Sequence, residues 1–246
     1  MSKNADTQFE IYISKDTFKF NASHFVAYPG FRERLHGHSY RVAVKLIGSH
    51  EIGGDGYVLD FGCVKSVAKK VCKEMNEYFL VPMLSDVLKI TVEEASVADG
   101  DYDGNICVPC DESNGEIDAN GPSNNKKLKR TYPGSVTVQC EDGSKFMFPR
   151  QDCLLLPIMH STAEELAIYV YGKLLQGLNR DYLEKHGVTA MEVTVSEAVG
   201  QDAMFRRRIP KCDENGEAFN VANYITKDPI PPMPCSTDTE AAKAMY

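Results

Sequence analysis

Between His36 and Leu46 the residue types alternate with a period of two. His36, His38, Tyr40, Val42, Val44 and Leu46 share one face of an extended segment, and Gly37, Ser39, Arg41, Ala43 and Lys45 share the other. Successive side chains of a strand point to opposite faces, so this run predicts a long strand. The same period appears upstream. Phe9, Ile11 and Ile13 alternate with polar residues, as do Phe18, Phe20, Ala22 and His24, which predicts two strands or one bent strand. Between these runs YPGFRERL, with Pro29 and Gly30, breaks the pattern and reads as a loop; GSHEIGGDG, beyond the strand, reads as a glycine-rich turn.

Helical spacing takes over after Asp60, a residue suited to cap a helix. Val64, Val67, Ala68, Val71, Cys72 and Met75 form the apolar face, with Lys65, Lys69, Lys70 and Lys73 elsewhere. A second helix is announced by Ser161-Thr162-Ala163-Glu164, whose hydroxyl and carboxylate suit a capping box. Leu166, Ala167, Val170, Tyr171, Leu174, Leu175 and Leu178 supply its apolar face. After a short segment ending near Gly187, Met191, Val193, Val195 and Glu197 alternate as a final strand. This order predicts an α+β domain with two helices on one face of a mainly antiparallel sheet.

Residues 9–208 read as that single domain, with an insertion at about 85–156. Within it VLKITVEE and SVTVQCEDGSKFMFP alternate like strands, and Asp142-Gly143 stands where a hairpin turn belongs, so an inserted β-hairpin or small sheet is expected. From Ala98 to Pro133 the chain is rich in Asp, Gly and Asn with a basic KKLKR patch, the pattern of an exposed or disordered excursion. Residues 1–8 read as a disordered N-terminus and 209–246 as a polar, proline-rich tail containing DPIPPMPC.

Composition narrows the function classes. A formal net charge of -8 argues against a protein that holds nucleic acid or an anionic membrane through a basic field, so a small-molecule partner is expected. No apolar run is long enough to span a bilayer and the opening MSKNADTQ lacks a secretory signal, which points to a cytoplasmic protein. The cysteines are then expected to be free thiols or occasional metal ligands. Cys107 and Cys110 form a CxxC with no second pair. Asp99, Asp101, Asp103 and Gly104 begin like a calcium loop whose twelfth position is Cys110 instead of Glu.

His36 and His38, two apart on a strand, project from the same face and can converge on one ion if Gly37 points away. His24 shares the register of Phe18, Phe20 and Ala22, and a loop back through YPGFRERL can deliver it as a third ligand. Three neutral imidazoles with a vacant fourth position are the composition of a catalytic zinc site; the alternative is three unconnected polar histidines. Glu197 continues the apolar face of the last strand and not its polar one, which favours a functional carboxylate over an exposed strand end. Ser161 and Thr162 read as helix caps, and Arg206, Arg207 and Arg208 as a basic turn or a site that attracts a triphosphate.

In order along the chain, FNASHF, HGHSYRVAVKLIG, GYVLDFGCVK, STAEELA and EVTVSEA resemble the 6-pyruvoyl tetrahydropterin synthase and 6-carboxytetrahydropterin synthase family. The resemblance covers residues 9–80 and 157–208. It implies the tunnelling fold, in which sheets of several subunits close into a barrel with active sites between subunits, usually in a homohexamer made from two trimers. It implies a triphosphate-eliminating lyase of tetrahydrobiopterin or folate biosynthesis that acts on 7,8-dihydroneopterin triphosphate. It also implies zinc on His24, His36 and His38, Glu197 as the pterin anchor, and Thr162, beside Ser161, at the pterin edge.

Two departures bear on the chemistry. The family's synthases place a cysteine shortly before HGH, but no Cys occurs between Phe25 and Leu35. Instead Glu33 makes ExxHGH, which resembles the glutamate-bearing variant associated with forming 6-hydroxymethyl-dihydropterin. Flanked by Arg32 and Arg34, Glu33 reads on its own either as a base near zinc or as part of a solvated charged loop. The family's Asp-His pair after the first helix is also missing, leaving Glu77 or His160 as substitutes. The same residues suit two other readings: a catalytically inactive zinc- and pterin-binding homologue, and a 6-carboxytetrahydropterin synthase.

Overall fold

The two alternating runs before His24 form one strand, β1 (Glu10–His24). Ile13 and Phe18 are both buried although the step between them, from 13 to 18, is odd, so the alternation changes phase between them. A bulge absorbs the change: the register against the next long strand shifts between Ser14 and Lys19. The computed structural model describes residues 8–48, 54–94, 96–98, 130–132, 134–178 and 180–209. The expectations for Cys107, Cys110, the calcium-like run at Asp99, residues 1–7 and the tail from 210 lie outside the described residues.

The segment read as a loop contains a miniature hairpin, β2 (Ala27–Tyr28) and β3 (Phe31–Arg32). Pro29 and Gly30 make its turn, Pro pre-setting one φ and Gly30 supplying a φ of 77°. Then come β4 (His36–Ile47) and α1 (Phe61–Glu74), the helix capped by Asp60, whose Oδ1 accepts the Gly62 N–H at 2.8 Å. The chain continues through β5 (Tyr78–Pro82), β6 (Lys89–Glu93), β7 (Ser96–Ala98), β8 (Arg130–Tyr132), β9 (Ser135–Gln139), β10 (Lys145–Pro149) and β11 (Cys153–Leu156). It closes with α2 (Ala163–Gly177), the short α3 (Arg180–Lys185), β12 (Ala190–Ala198) and β13 (Gln201–Arg208).

The main sheet runs β11-β5-β1-β4-β12-β13. Its β1-β4-β12-β13 part is antiparallel, and β5 and β11 extend it with parallel pairings. β11 lies within the span read as inserted, yet it belongs to this sheet. Both long helices pack on one face. Val64 and Ala68 of α1 and Leu166, Ala167 and Val170 of α2 join Phe18, Phe20, Tyr40, Val44, Met191 and Val193 in a single core. Of the two residues read as caps of α2, Thr162 is the one that caps it, with Glu165 and not Glu164 as its carboxylate partner. Thr162 Oγ1 accepts the Glu165 N–H at 3.4 Å, and the Glu165 carboxylate reaches back to the N–H groups of Met159 and His160 at 2.7 and 2.9 Å.

Three strands of the span read as inserted form a second sheet ordered β10-β9-β6, its hairpin turning through Cys140 to Ser144 with Gly143 at a φ of 81°. Its Val136 and Val138 pack with Phe25, Phe79, Val81 and Cys153 in a separate core. β5 is therefore buried on both faces, Leu80 in the helix-side core and Phe79 and Val81 under the inserted sheet. Cys63, Cys72, Cys140 and Cys153 are free thiols. Among the described residues no helix is long and apolar enough to cross a membrane.

Leu166 is fully buried between α2 and the sheet. Leu166→Ala is expected to lower unfolding free energy by about 2–5 kcal/mol in denaturant titration, whereas Met147→Ala, on the exposed face of the inserted sheet, should change it by less than about 0.5 kcal/mol.

Candidate functional site

The antiparallel register of β1 and β4 decides where the histidines go. His24 lies opposite His36, Ala22 opposite His38, and Phe20 opposite Tyr40. All of these point to the helix-side face, so two imidazoles from β4 and one from the end of β1 meet. Ring centroids are 4.7 Å apart for His24 and His36, 5.2 Å for His24 and His38, and 4.8 Å for His36 and His38. Gly37 permits the close pairing, since a Cβ there would stand 3.2 Å from the carbonyl oxygen of Ala22.

Glu197 completes the group. Ser196 pairs with Asp202 and Ala198 with Gln201, so Glu197 is the extra residue of a bulge in β12. Its Oε1 lies 3.1 Å from His38 Nε2 and 3.2 Å from His24 Nε2, and it accepts the Tyr40 hydroxyl at 3.3 Å. One ligand atom from each of His24, His36, His38 and Glu197 can be chosen so that all lie within 4.8 Å of one another.

The outer nitrogens are tied to backbone. His24 Nδ1 donates to the carbonyl of Ser161 and His36 Nδ1 to that of Arg34, both at 2.7 Å. A carbonyl only accepts, so each ring carries its proton on Nδ1 and presents Nε2 as a lone pair. His24 is 1% exposed, and burial lowers its pKa, with the His36 and His38 charges adding to the drop and the Ser161 carbonyl and Glu197 opposing it. A neutral His24 places two acceptors, its Nε2 and Glu197 Oε1, 3.2 Å apart. Tyr40, whose hydroxyl is 3.1 Å from His24 Nε2, has a single proton to offer, and its phenol pKa is raised by burial, by Glu197 and by Glu33. Imidazole lone pairs converging on a carboxylate are a donor set that could hold a metal ion.

The turn of the β2–β3 hairpin returns Glu33 to the end of β1. Its N–H donates to the Val26 carbonyl at 2.9 Å and its Oε2 accepts the Val26 N–H at 3.0 Å, two residues past His24. Ser161 is fully buried; its hydroxyl donates to the Phe25 carbonyl at 2.9 Å while its own carbonyl orients His24. Thr162, next to it, caps α2. His160 is held by Glu165, with Nδ1 2.9 Å from Oε1. Glu77 takes a positive φ of 68°, donates its N–H to Asn21, and lines an open cavity of about 610 Å³ together with His38, Ser39 and Asp152. Arg206 is placed apart from the histidines. It lies opposite Glu192 on the sheet face away from the helices, with Nε and Nη2 each 2.6 Å from Glu192 Oε2.

The site residue the sequence reading passed over is Tyr40. It continues the His36, His38 alternation by one step, and that was the available signal.

The model of the 6-pyruvoyl tetrahydropterin synthase family matches residues 12–208. A Methanocaldococcus jannaschii protein provisionally named 6-carboxy-5,6,7,8-tetrahydropterin synthase is 26% identical over 190 residues, 77% of this chain and 90% of its own. The crystal structure of 6-pyruvoyl tetrahydropterin synthase from Plasmodium vivax is 35% identical, with a TM-score of 0.63, covering 83% of this chain and 100% of that one. A glutamate-to-alanine variant of that P. vivax protein, named a catalytic residue mutant, matches at 34% identity over the same shares with the same TM-score of 0.63. Matched by the family model over residues 12–208, this chain belongs to the 6-pyruvoyl tetrahydropterin synthase family.

Proposed function

We propose that the chain is a zinc-dependent pterin enzyme acting on 7,8-dihydroneopterin triphosphate, with His24, His36 and His38 as the metal ligands. The observation that carries this reading is the convergence of these imidazoles with Glu197, while Glu33 is hydrogen-bonded two residues past His24. Bound zinc would polarise a side-chain oxygen of the substrate and make its hydroxyl proton easier to remove.

The chain's own residues divide the remaining work. Glu197, oriented by Tyr40, accepts the 2-amino and ring N–H donors of the pterin as a pair of charge-assisted hydrogen bonds. Ser161, whose carbonyl orients His24, and Thr162 beside it are assigned to the pterin edge. Glu33 is the base. It takes the proton of the hydroxyl on the second side-chain carbon, and the bond between the first and second carbons breaks with its electron pair left on the first. Protonation of that carbon gives 6-hydroxymethyl-dihydropterin, and the triphosphate leaves on the aldehyde fragment. The glutamate named as a catalytic residue in the P. vivax protein supports a carboxylate in this role. Glu77 and His160 are the further candidates for proton transfer. Arg206 carries less of the reading, because Glu192 already engages it.

A second reading, 6-carboxytetrahydropterin synthesis, draws equal support from the name of the M. jannaschii relative. Incubation with dihydroneopterin triphosphate and chromatography of the products distinguishes the two, and no consumption at enzyme concentrations near substrate favours an inactive pterin-binding homologue.

The barrel is proposed on the free edges of the sheet. Among the described residues β5 pairs with β1 only at Ala22 and Ser23, and the outer edge of β13 has no partner strand. Exposed edges of this length call for pairing between copies. A hexamer is expected in light scattering at micromolar concentration; a monodisperse monomer would contradict the intersubunit barrel.

Elemental analysis of the purified chain should find about one zinc per chain, largely lost in the His36→Ala, His38→Ala double variant with the circular dichroism spectrum retained. Full zinc in that variant would refute the ligand assignment. Glu197→Gln cannot accept two donors at once and should weaken pterin binding by roughly 2–4 kcal/mol in titration calorimetry. Glu33→Gln should keep zinc and ligand binding while lowering turnover by about a hundredfold or more. Normal turnover in Glu33→Gln moves the base to Glu77 or His160.

A further inference from the structure

The insertion reaches back to the turn that carries Glu33. At the tip of the β2–β3 hairpin the Gly30 N–H donates to Glu141 Oε2 at 3.1 Å. Arg32 commits every nitrogen of its guanidinium. Nε donates to Asp142 Oδ2 at 2.9 Å, Nη2 to Ser144 Oγ at 3.1 Å, and Nη1 to the carbonyl oxygen of Glu33 at 2.8 Å. The same group lies 5.7 Å from the ring centre of Phe25, the residue after His24, and 5.4 Å from that of Phe146 on β10. Asp142 is fixed in turn: its Oδ1 accepts the Ser144 N–H at 2.9 Å, and the Ser144 and Arg32 donors hold its carboxyl below the usual carboxylate range.

A planar guanidinium satisfied on three sides is a rigid bridge, unlike a lysine in the same place. In the hairpin it holds, Ala27 is buried in the second core but the tip from Tyr28 to Phe31 is exposed. Tyr28 and Phe31 stack on each other at 4.7 Å but remain 47% and 46% exposed. Segments with few buried contacts open readily, whereas a base must stay within hydrogen-bond reach of the proton it removes.

We propose that the inserted hairpin is a positioning device for catalysis: Glu141, Asp142 and Ser144, acting chiefly through Arg32, hold the Glu33 turn in place beside the histidine group. This rests on the reading of Glu33 as the base. Arg32 and Asp142 are positioning residues, since they touch the Glu33 backbone and the hairpin and not the reacting atoms.

The test uses the full zinc-loaded chain with Asp142→Ala, Arg32→Ala and Arg32→Lys, reading amide hydrogen exchange in peptides across 25–35 alongside steady-state kinetics. Asp142 is a surface residue, so its replacement should leave the fold intact. Asp142→Ala is expected to speed exchange in that segment by roughly tenfold or more while leaving β4 and the zinc content unchanged. Turnover should fall by on the order of tenfold to a hundredfold with KM unchanged. Arg32→Lys, which keeps the charge but not the fork, should fall between wild type and Arg32→Ala. Added to Glu33→Gln, Asp142→Ala should cost nothing more. Unchanged exchange overturns the clamp whether or not the chain turns over substrate. Full additivity with Glu33→Gln overturns the route through Glu33. Normal turnover in Glu33→Gln alone removes the base itself, a failure that the exchange data keep separate from failure of the clamp.

Discussion

The pairing of β1 with β4 is the constraint on which the rest of the site depends. It puts His24 directly across from His36 and one same-face step from His38, so a single ladder register sets the distance between imidazoles on two neighbouring strands. A slip of one residue would turn His36 and His38 to the opposite face, because side chains alternate along a strand. The bulge between Ser14 and Lys19 lets the same strand bury Ile13 at one end and deliver His24 at the other.

A cluster of this kind is costly to bury unless its atoms are satisfied. Here the cost is offset from outside inward. The Ser161 and Arg34 carbonyls fix two imidazoles with Nε2 inward, and Tyr40 supplies a hydroxyl to the carboxylate of Glu197. Ser161 also binds the Phe25 carbonyl, so the entrance of α2 is fastened to the end of β1 at the point where His24 leaves it. The ligand geometry thus depends on how the helix docks as much as on the strands.

The three-stranded sheet builds a second core beside the first. β5 serves both, presenting Leu80 to the helices and Phe79 and Val81 to the inserted sheet. Arg32 links that second core to the hairpin beside the histidines, lying over Phe146 on one side and Phe25 on the other. The turn that carries Glu33 and the three-stranded sheet therefore meet in one place.

Period and capping chemistry are local, and they were readable. The strands at His36–Leu46 and Met191–Glu197, both helices, the Asp60 cap and the hairpin at Asp142-Gly143 all appear in the structure, because each depends on neighbours a few residues away. The shared face of His36, His38 and Glu197 with the core also followed from alternation alone. What local pattern left open were the long-range contacts. Whether Phe9–His24 was one strand or two depended on a bulge that only its partner strand defines. That Cys153–Leu156 joins the main sheet depended on β5, and that Glu165 and not Glu164 reaches back past the Thr162 cap depended on where the fold sets the Met159 and His160 N–H groups. Arg32 and Arg206 read as solvated charge or a phosphate contact, yet one grips the inserted hairpin and the other Glu192. A charged side chain carries no periodic signal, so its partner is decided by which distant strand or turn the fold sets beside it.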